Sequence, residues 1–292
     1  MRHTITALAV VFVLLSCKKE LPDPQGAQAE ATGTIVAAPL PAKIKIGKSL
    51  EELTAAFTVR KKEIQEQLKS LNQKEANALY KKYQEENNGY IATIQNKEQD
   101  LLANFYNYYG DRTSPPDSIQ RKEMLLNNAE LELWQIGEGY VDIRTQHDFY
   151  YNLFKNYVTP DYREFLYINS EEEKKLYSAD AGIGISWKEL GDRVLSWENF
   201  LKKYPGSELT EDAMSFYKSY QLDYLFGMDN TPTMEHSTTE LYPENIAEFK
   251  RFIAQNPDSF TTKLAKIMLA NTQSRDALMA VIDKEQEHYF GK

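Results

Sequence analysis

The 292-residue chain is predicted to be all-α: a helical hairpin, then helical pairs, with a short two-stranded β insertion between them. Three observations predict this. Apolar residues recur at helical spacing from Leu50 to Tyr109. A helix–turn–helix pattern occurs twice in the C-terminal third. Two glycine-containing stretches in the middle are the only long interruptions of the helical period.

The composition bounds the problem. A hydrophobic share of 42% with 12% aromatic residues is ample for a packed core, which excludes a disordered chain. The formal net charge of −9 repels phosphate backbones, so no nucleic-acid partner is expected. Tyrosine outnumbers phenylalanine, 19 to 13. A tyrosine packs its ring and keeps a polar tip, which suits thin helical layers and wet contact surfaces.

The predicted domain spans residues 49–292. In its first part, 49–110, Leu50, Leu53, Phe57, Ile64, Leu68 and Leu71 form one apolar stripe, and Ser49 before Glu51 and Glu52 is a start signal. Asn72 interrupts the stripe. Leu79, Tyr83, Tyr90, Ile94, Leu101, Phe105 and Tyr109 form a second helix that runs to Gly110. The pair is either an arm that grips a partner or the first two helices of a bundle, the simpler expectation.

In the middle region, 111–190, residues 110–118 read as an exposed loop and 121–133 as a helix. Gly137 and Gly139 then break any helix, and Tyr140, Val141 and Ile143 suggest an extended piece. Helix resumes near Phe149 and ends before Pro160. A second irregular piece runs from Ala179 to Trp187, and the two pieces are expected side by side as a small ribbon. Loops on a rigid scaffold often carry function. Trp134, Glu138, Tyr140, Asp142, Asp180 and Trp187 here offer aromatic faces beside carboxylates, a combination that suits a glycan or a cationic peptide. The alternative is a structural kink with capping acids.

Residues 191–292 contain a repeat with an offset of 52. Trp197, Phe200, Pro205, Ser207, Thr210 and Ala213 are matched by Phe249, Phe252, Pro257, Ser259, Thr262 and Ala265. Each copy reads helix, Pro-x-Ser turn, helix: the proline ends the first helix, the serine caps the second and the alanine permits close contact. Lys203-Tyr204-Pro205-Gly206-Ser207 in this setting resembles the hairpins of tetratricopeptide-type envelope assembly lipoproteins. The resemblance covers roughly residues 190–270 and implies stacked helical pairs that hold a protein partner. It departs from that family in its longer period and in showing two copies where about three are needed.

The N-terminus carries an address. Arg2 precedes the almost wholly apolar stretch Ile5 to Leu15, which is too short to span a bilayer as a helix. Leu14-Leu15-Ser16-Cys17 resembles the bacterial lipobox. That resemblance implies a signal peptide over residues 1–16, acyl chains on Cys17 and cleavage before it. Cys17 is the single cysteine of the chain, as expected if it is reserved for lipid. Two or more acyl chains give stable attachment. Residues 17–48, with Pro22, Pro24, Pro39 and Pro41, show no apolar period and read as a flexible tether. Lys18 and Lys19 lack the aspartate of inner-membrane retention, which implies an outer-membrane protein facing the periplasm or the cell surface. The charged run after Cys17 is loosely similar to surface-export signals of Bacteroidetes lipoproteins, and Asp117-Ser118-Ile119 resembles an O-glycosylation site of that group.

No catalytic constellation is apparent. Gly-x-Ser-x-Gly is absent, His147, His236 and His288 lack metal-ligand spacing, and Gly182-Ile-Gly184 is an incomplete phosphate loop. No cofactor or metal is expected. Carboxylates for a glycosidase exist in Glu130, Glu132, Glu138, Asp142 and Asp180, but sequence spacing does not pair them. The expected function is therefore a non-catalytic, lipid-anchored envelope scaffold or protein-binding lipoprotein. The alternative is a glycan- or peptide-binding lipoprotein, and after that a carboxylate-based hydrolase.

Overall fold

The computed structural model describes residues 49–109, 114–235, 240–271 and 273–290. Cys17, the predicted signal and tether, Gly110 and His236 lie outside the described residues. Within them the chain forms twelve helices and three small two-stranded antiparallel sheets, so the fold is mostly all-α with small β insertions. No described helix is long and apolar enough to cross a membrane.

The N-terminal hairpin forms as its caps dictate. Helix α1 (Leu50–Leu68) starts at Ser49, whose hydroxyl accepts from Glu52 N while the Glu52 carboxylate accepts from Ser49 N. Asn72 and Glu75 make the same reciprocal box at the start of α2 (Gln73–Lys97). Leu53, Phe57, Ile64 and Leu68 of α1 are buried, as are Tyr80, Tyr83, Tyr90 and Ile94 of α2. The second helix does not run on to residue 110 as the apolar spacing predicts. It stops at Glu98, a buried carboxylate that accepts from Lys122. Short helices α3 (Gln99–Ala103) and α4 (Phe105–Tyr109) follow, separated by Asn104, whose side chain bonds back to Asp100.

Helix α5 (Asp117–Asn128) is earlier and shorter than predicted. Asp117, Ser118 and Ile119 form its first turn, with Ser118 exposed and Ile119 buried, so they are not part of a loop. Residues 131–133 belong to a strand. Glu130 turns the chain with φ 58°, and from there apolar residues alternate with polar ones. Strand β1 (Leu131–Gly137) pairs with β2 (Tyr140–Thr145), burying Leu131, Val141 and Ile143. Gly137, Glu138 and Gly139 all have positive φ at the tip, which is why two glycines are needed there.

Helix α6 (Phe149–Phe154) leads to α7 (Pro160–Glu172), which Pro160 opens. The second irregular piece does not pair with the first. It closes on itself as β3 (Ser178–Ala179) and β4 (Gly182–Ile183). The two pieces do lie side by side: a methyl on Gly137 would stand 2.4 Å from the Ala179 Cβ. A third small sheet, β5 (Gly227–Met228) with β6 (Thr231–Pro232), docks on β4 through Asn230 N to Ala181 O at 2.9 Å and Ile183 N to Thr231 Oγ1 at 2.8 Å.

The C-terminal repeat is a repeat of backbone. Helices α8 (Trp187–Lys203) and α9 (Thr210–Phe226) form one hairpin, α10 (Pro243–Gln255) and α11 (Phe260–Leu269) the next. First packs on first and second on second, and α12 (Arg275–Phe290) covers α11. Trp197, Phe200 and Ala213 are buried, and so are their counterparts Phe249, Phe252 and Ala265. The segment 227–242, with its small sheet, supplies the added length between the copies. One predicted cap shifts. Ser259 caps α11 by accepting from Thr261 N, whereas Ser207 makes the matching bond to Leu209 N but α9 begins only at Thr210.

The tyrosine excess has a structural reason. Tyr217, Tyr220 and Tyr224 of α9 each donate to a carboxylate of a different helix: Glu198 of α8, Glu172 of α7 and Glu248 of α10. Each ring fills the core while its hydroxyl adds a donor to a carboxylate on a neighbouring helix.

Candidate functional site

The six residues predicted for binding do not converge on one pocket. Trp134 and Asp142 are cross-strand partners. The Trp134 face is covered by the Arg144 guanidinium, 3.5 Å from the ring centroid, and Arg144 in turn pairs with Glu132 at 2.8 Å. Asp142 accepts from Gln95 of α2 and from Ile143 N; burial pushes its carboxyl upward against those bonds. Glu138 and Asp180 are exposed at positive-φ tips of adjoining hairpins. Tyr140 is 64% exposed beside Gly139. Trp187, at the start of α8, lines a separate recess of about 350 Å³ with Ile183, Pro232 and Tyr242. Of the carboxylates weighed for hydrolysis, Glu130 pairs with Lys61, Glu132 with Arg144, and Asp142 is engaged as above. Among the described residues no group of three or more His, Cys, Asp or Glu is placed to hold a metal ion.

A more continuous surface lies along α7 and α8. Two open depressions of about 450 and 460 Å³ adjoin there and share Tyr167, Ile168 and Ser196. Helix α7 has 13 residues, so the groove beside it runs for roughly 20 Å at 1.5 Å per residue. Tyr167 is 48% exposed on its floor, with its ring 5.5 Å from that of Tyr151. At one end stand Arg163, Lys203 and Tyr204. Lys203 and Tyr204 are both held by Glu164, while Arg163 makes no ion pair with a described residue. At the other end, Lys174 pairs with Glu171 and Lys175 with Glu189. Beneath them Glu172 accepts from Trp197 Nε1 and Tyr220 Oη, each at 2.9 Å. Desolvation pushes its carboxyl up to about 7, against the opposing pull of Arg193 and those two bonds.

This groove can receive an extended or helical segment, with tyrosine rings for apolar contact and charges of both signs along its rim. It was not predicted from the sequence. A signal existed in Thr159-Pro160-Asp161, a helix start with proline in the first turn, which would have placed Arg163, Tyr167 and Glu171 on one face of α7.

No family model matches this chain, and comparisons with curated proteins and with solved structures likewise found no match.

Proposed function

We infer that this protein is a non-catalytic, lipid-anchored binding or scaffold protein of the cell envelope. Acyl chains on Cys17 hold it in the outer membrane, and it grips a protein partner along α7 and α8. The observation that carries this reading is the groove: an exposed surface centred on Tyr167 and bounded by α7 and α8. Exposed tyrosine in a concave setting is the residue type that anchors protein interfaces. The stacking of α8 and α9 on α10 and α11 supports the resemblance to tetratricopeptide-type envelope proteins, in which such pairs present a concave face. Against the glycan reading, Arg144 stacks on the Trp134 ring.

The test uses the full-length protein in its native membrane with a photo-cross-linking residue at position 163. A single stoichiometric envelope protein should be captured, and Tyr167→Ala should abolish its capture. Capture unchanged by Tyr167→Ala, or none at all, rejects the groove. Membrane attachment should be lost in Cys17→Ser, and attachment that persists in this variant rejects the anchor independently.

A further inference from the structure

On the opposite side of α7 from the groove lies a more enclosed cavity of about 500 Å³, walled by α2, α6, α7 and α9. Its apolar lining is aromatic. Tyr80 and Tyr150 meet edge to face at 5.8 Å, and Phe165 and Phe216 lie 6.3 Å apart. Among its polar lining residues are the exposed carboxylates of Glu173 and Asp212, both close enough to Tyr80 to act on its hydroxyl. Neither carboxylate makes an ion pair or side-chain hydrogen bond with a described residue. Arg144 approaches Glu173 but spends its ion pair on Glu132. Lys81, also in the wall, is directed to Glu208 at 3.3 Å.

A second observation is independent of the acids. Tyr80 is 3% exposed, yet its hydroxyl has no hydrogen-bond partner among the described residues. Tyr80 also lines the cavity. A buried hydroxyl is normally satisfied, and one that is left unsatisfied beside a recess marks a place for a ligand atom.

We propose that this cavity binds a small organic cation, a primary amine on an apolar body. The ammonium sits between Glu173 and Asp212 and donates to the Tyr80 hydroxyl, while the body packs against the aromatic rings. An aromatic wall favours a cation through its ring faces, and the unpaired carboxylates supply the countercharge. The volume suits a ligand of this size. A neutral ligand would leave both carboxylates unpaired, and an anion would be repelled.

Phenethylamine is the probe, and phenethyl alcohol, of the same shape without the charge, is the control. Both are titrated into the full-length lipidated protein in detergent and followed by calorimetry. The amine should bind about tenfold more tightly than the alcohol. Asp212→Asn, at an exposed position that leaves the fold intact, should remove most of that preference, and Tyr80→Phe should weaken the amine alone. Glu173→Gln should likewise weaken binding of the amine while leaving that of the alcohol unchanged. Equal affinity for amine and alcohol, an amine preference that survives both acid substitutions, or no amine binding at millimolar concentration each overturns the proposal.

Discussion

In the turn after α8, Ser207 donates to Asp161 of α7 at 2.5 Å; in the turn after α10, Ser259 donates to Glu198 of α8 at 2.6 Å. The residues that open the two turns have nearly the same backbone, φ −127° and ψ 57° at Tyr204 against φ −131° and ψ 59° at Asn256. Each turn thus locks its hairpin onto a carboxylate of an earlier helix. The surroundings differ. Asp161 is half-buried in the first turn of α7, where Thr159 also donates to it. Glu198 is 1% exposed and collects Lys202, Ser259, Phe260 N, Tyr217 and Thr261. One local motif therefore serves as a surface clasp in one copy and as a core hub in the other.

The largest expected effect tests that difference. Glu198→Ala strands four neutral donors in the core and should cost about 3–4 kcal/mol in urea unfolding. Asp161→Ala, whose partners can turn to water, should cost about 1 kcal/mol. Equal costs would mean that burial does not separate the two clasps. Both carboxyls are pushed up by desolvation and pulled further down by their hydrogen bonds, so each sits below its ordinary value. For a lowered carboxyl the stabilisation is present above the unfolded-state value and is lost as pH falls through the folded one. Acid unfolding of the wild type should therefore be steeper than that of Glu198→Ala.

The repeat was legible in the sequence because it rests on local spacing: aromatic pairs, Pro-x-Ser and alanine at a constant offset. The first hairpin was legible for the same reason, through its capping boxes. The carboxylate beneath each serine was not legible, since Asp161 and Glu198 stand 46 and 61 residues from their partners. The same limit hid the purpose of the tyrosines. Their excess was visible, but Tyr220 meets Glu172 across 48 residues. The split of the second helix at Glu98 escaped because the apolar stripe continues through Leu101 and Phe105, and the partner of Glu98 is Lys122 on another helix. Nor was it legible that Arg144, two residues beyond Asp142, stacks on the Trp134 ring.

A comparison within the tyrosine set gives the next effect. Glu198 and Glu172 both accept from a tyrosine of α9, yet one carboxyl is lowered and the other is raised to about 7. The difference lies in the donors. Glu198 receives a lysine, a backbone N–H and several hydroxyls, whereas Glu172 has two neutral donors and Arg193, which bonds to its backbone carbonyl instead. A raised carboxyl contributes stability that is present below its unfolded-state value and is lost as pH rises through the folded value. Between about pH 4.5 and 7 the wild type should lose stability from this group on the order of 2 kcal/mol. Glu172→Gln can still accept from Trp197 and meet Tyr220, so it should flatten that decline, although Glu173 and Asp223 keep part of it. A melting temperature for Glu172→Gln that falls over this range as steeply as the wild type would show that the acid is not desolvated as described.

The smallest effect asks whether the turns are interchangeable. Gly206 and Asp258 occupy the same place in the two copies. A Cβ on Gly206 would meet nothing within 4 Å, and its φ lies outside the left-handed region, so neither contact nor strain demands a glycine. Gly206→Asp copies the second turn into the first and also narrows the unfolded ensemble. The change in stability should stay within about 0.5 kcal/mol. A loss above about 1 kcal/mol would mean that the first turn needs the freedom of glycine and that the likeness of the two backbones ends at Tyr204 and Asn256. A neutral result would leave the buried acid, not the turn, as the whole difference between the copies.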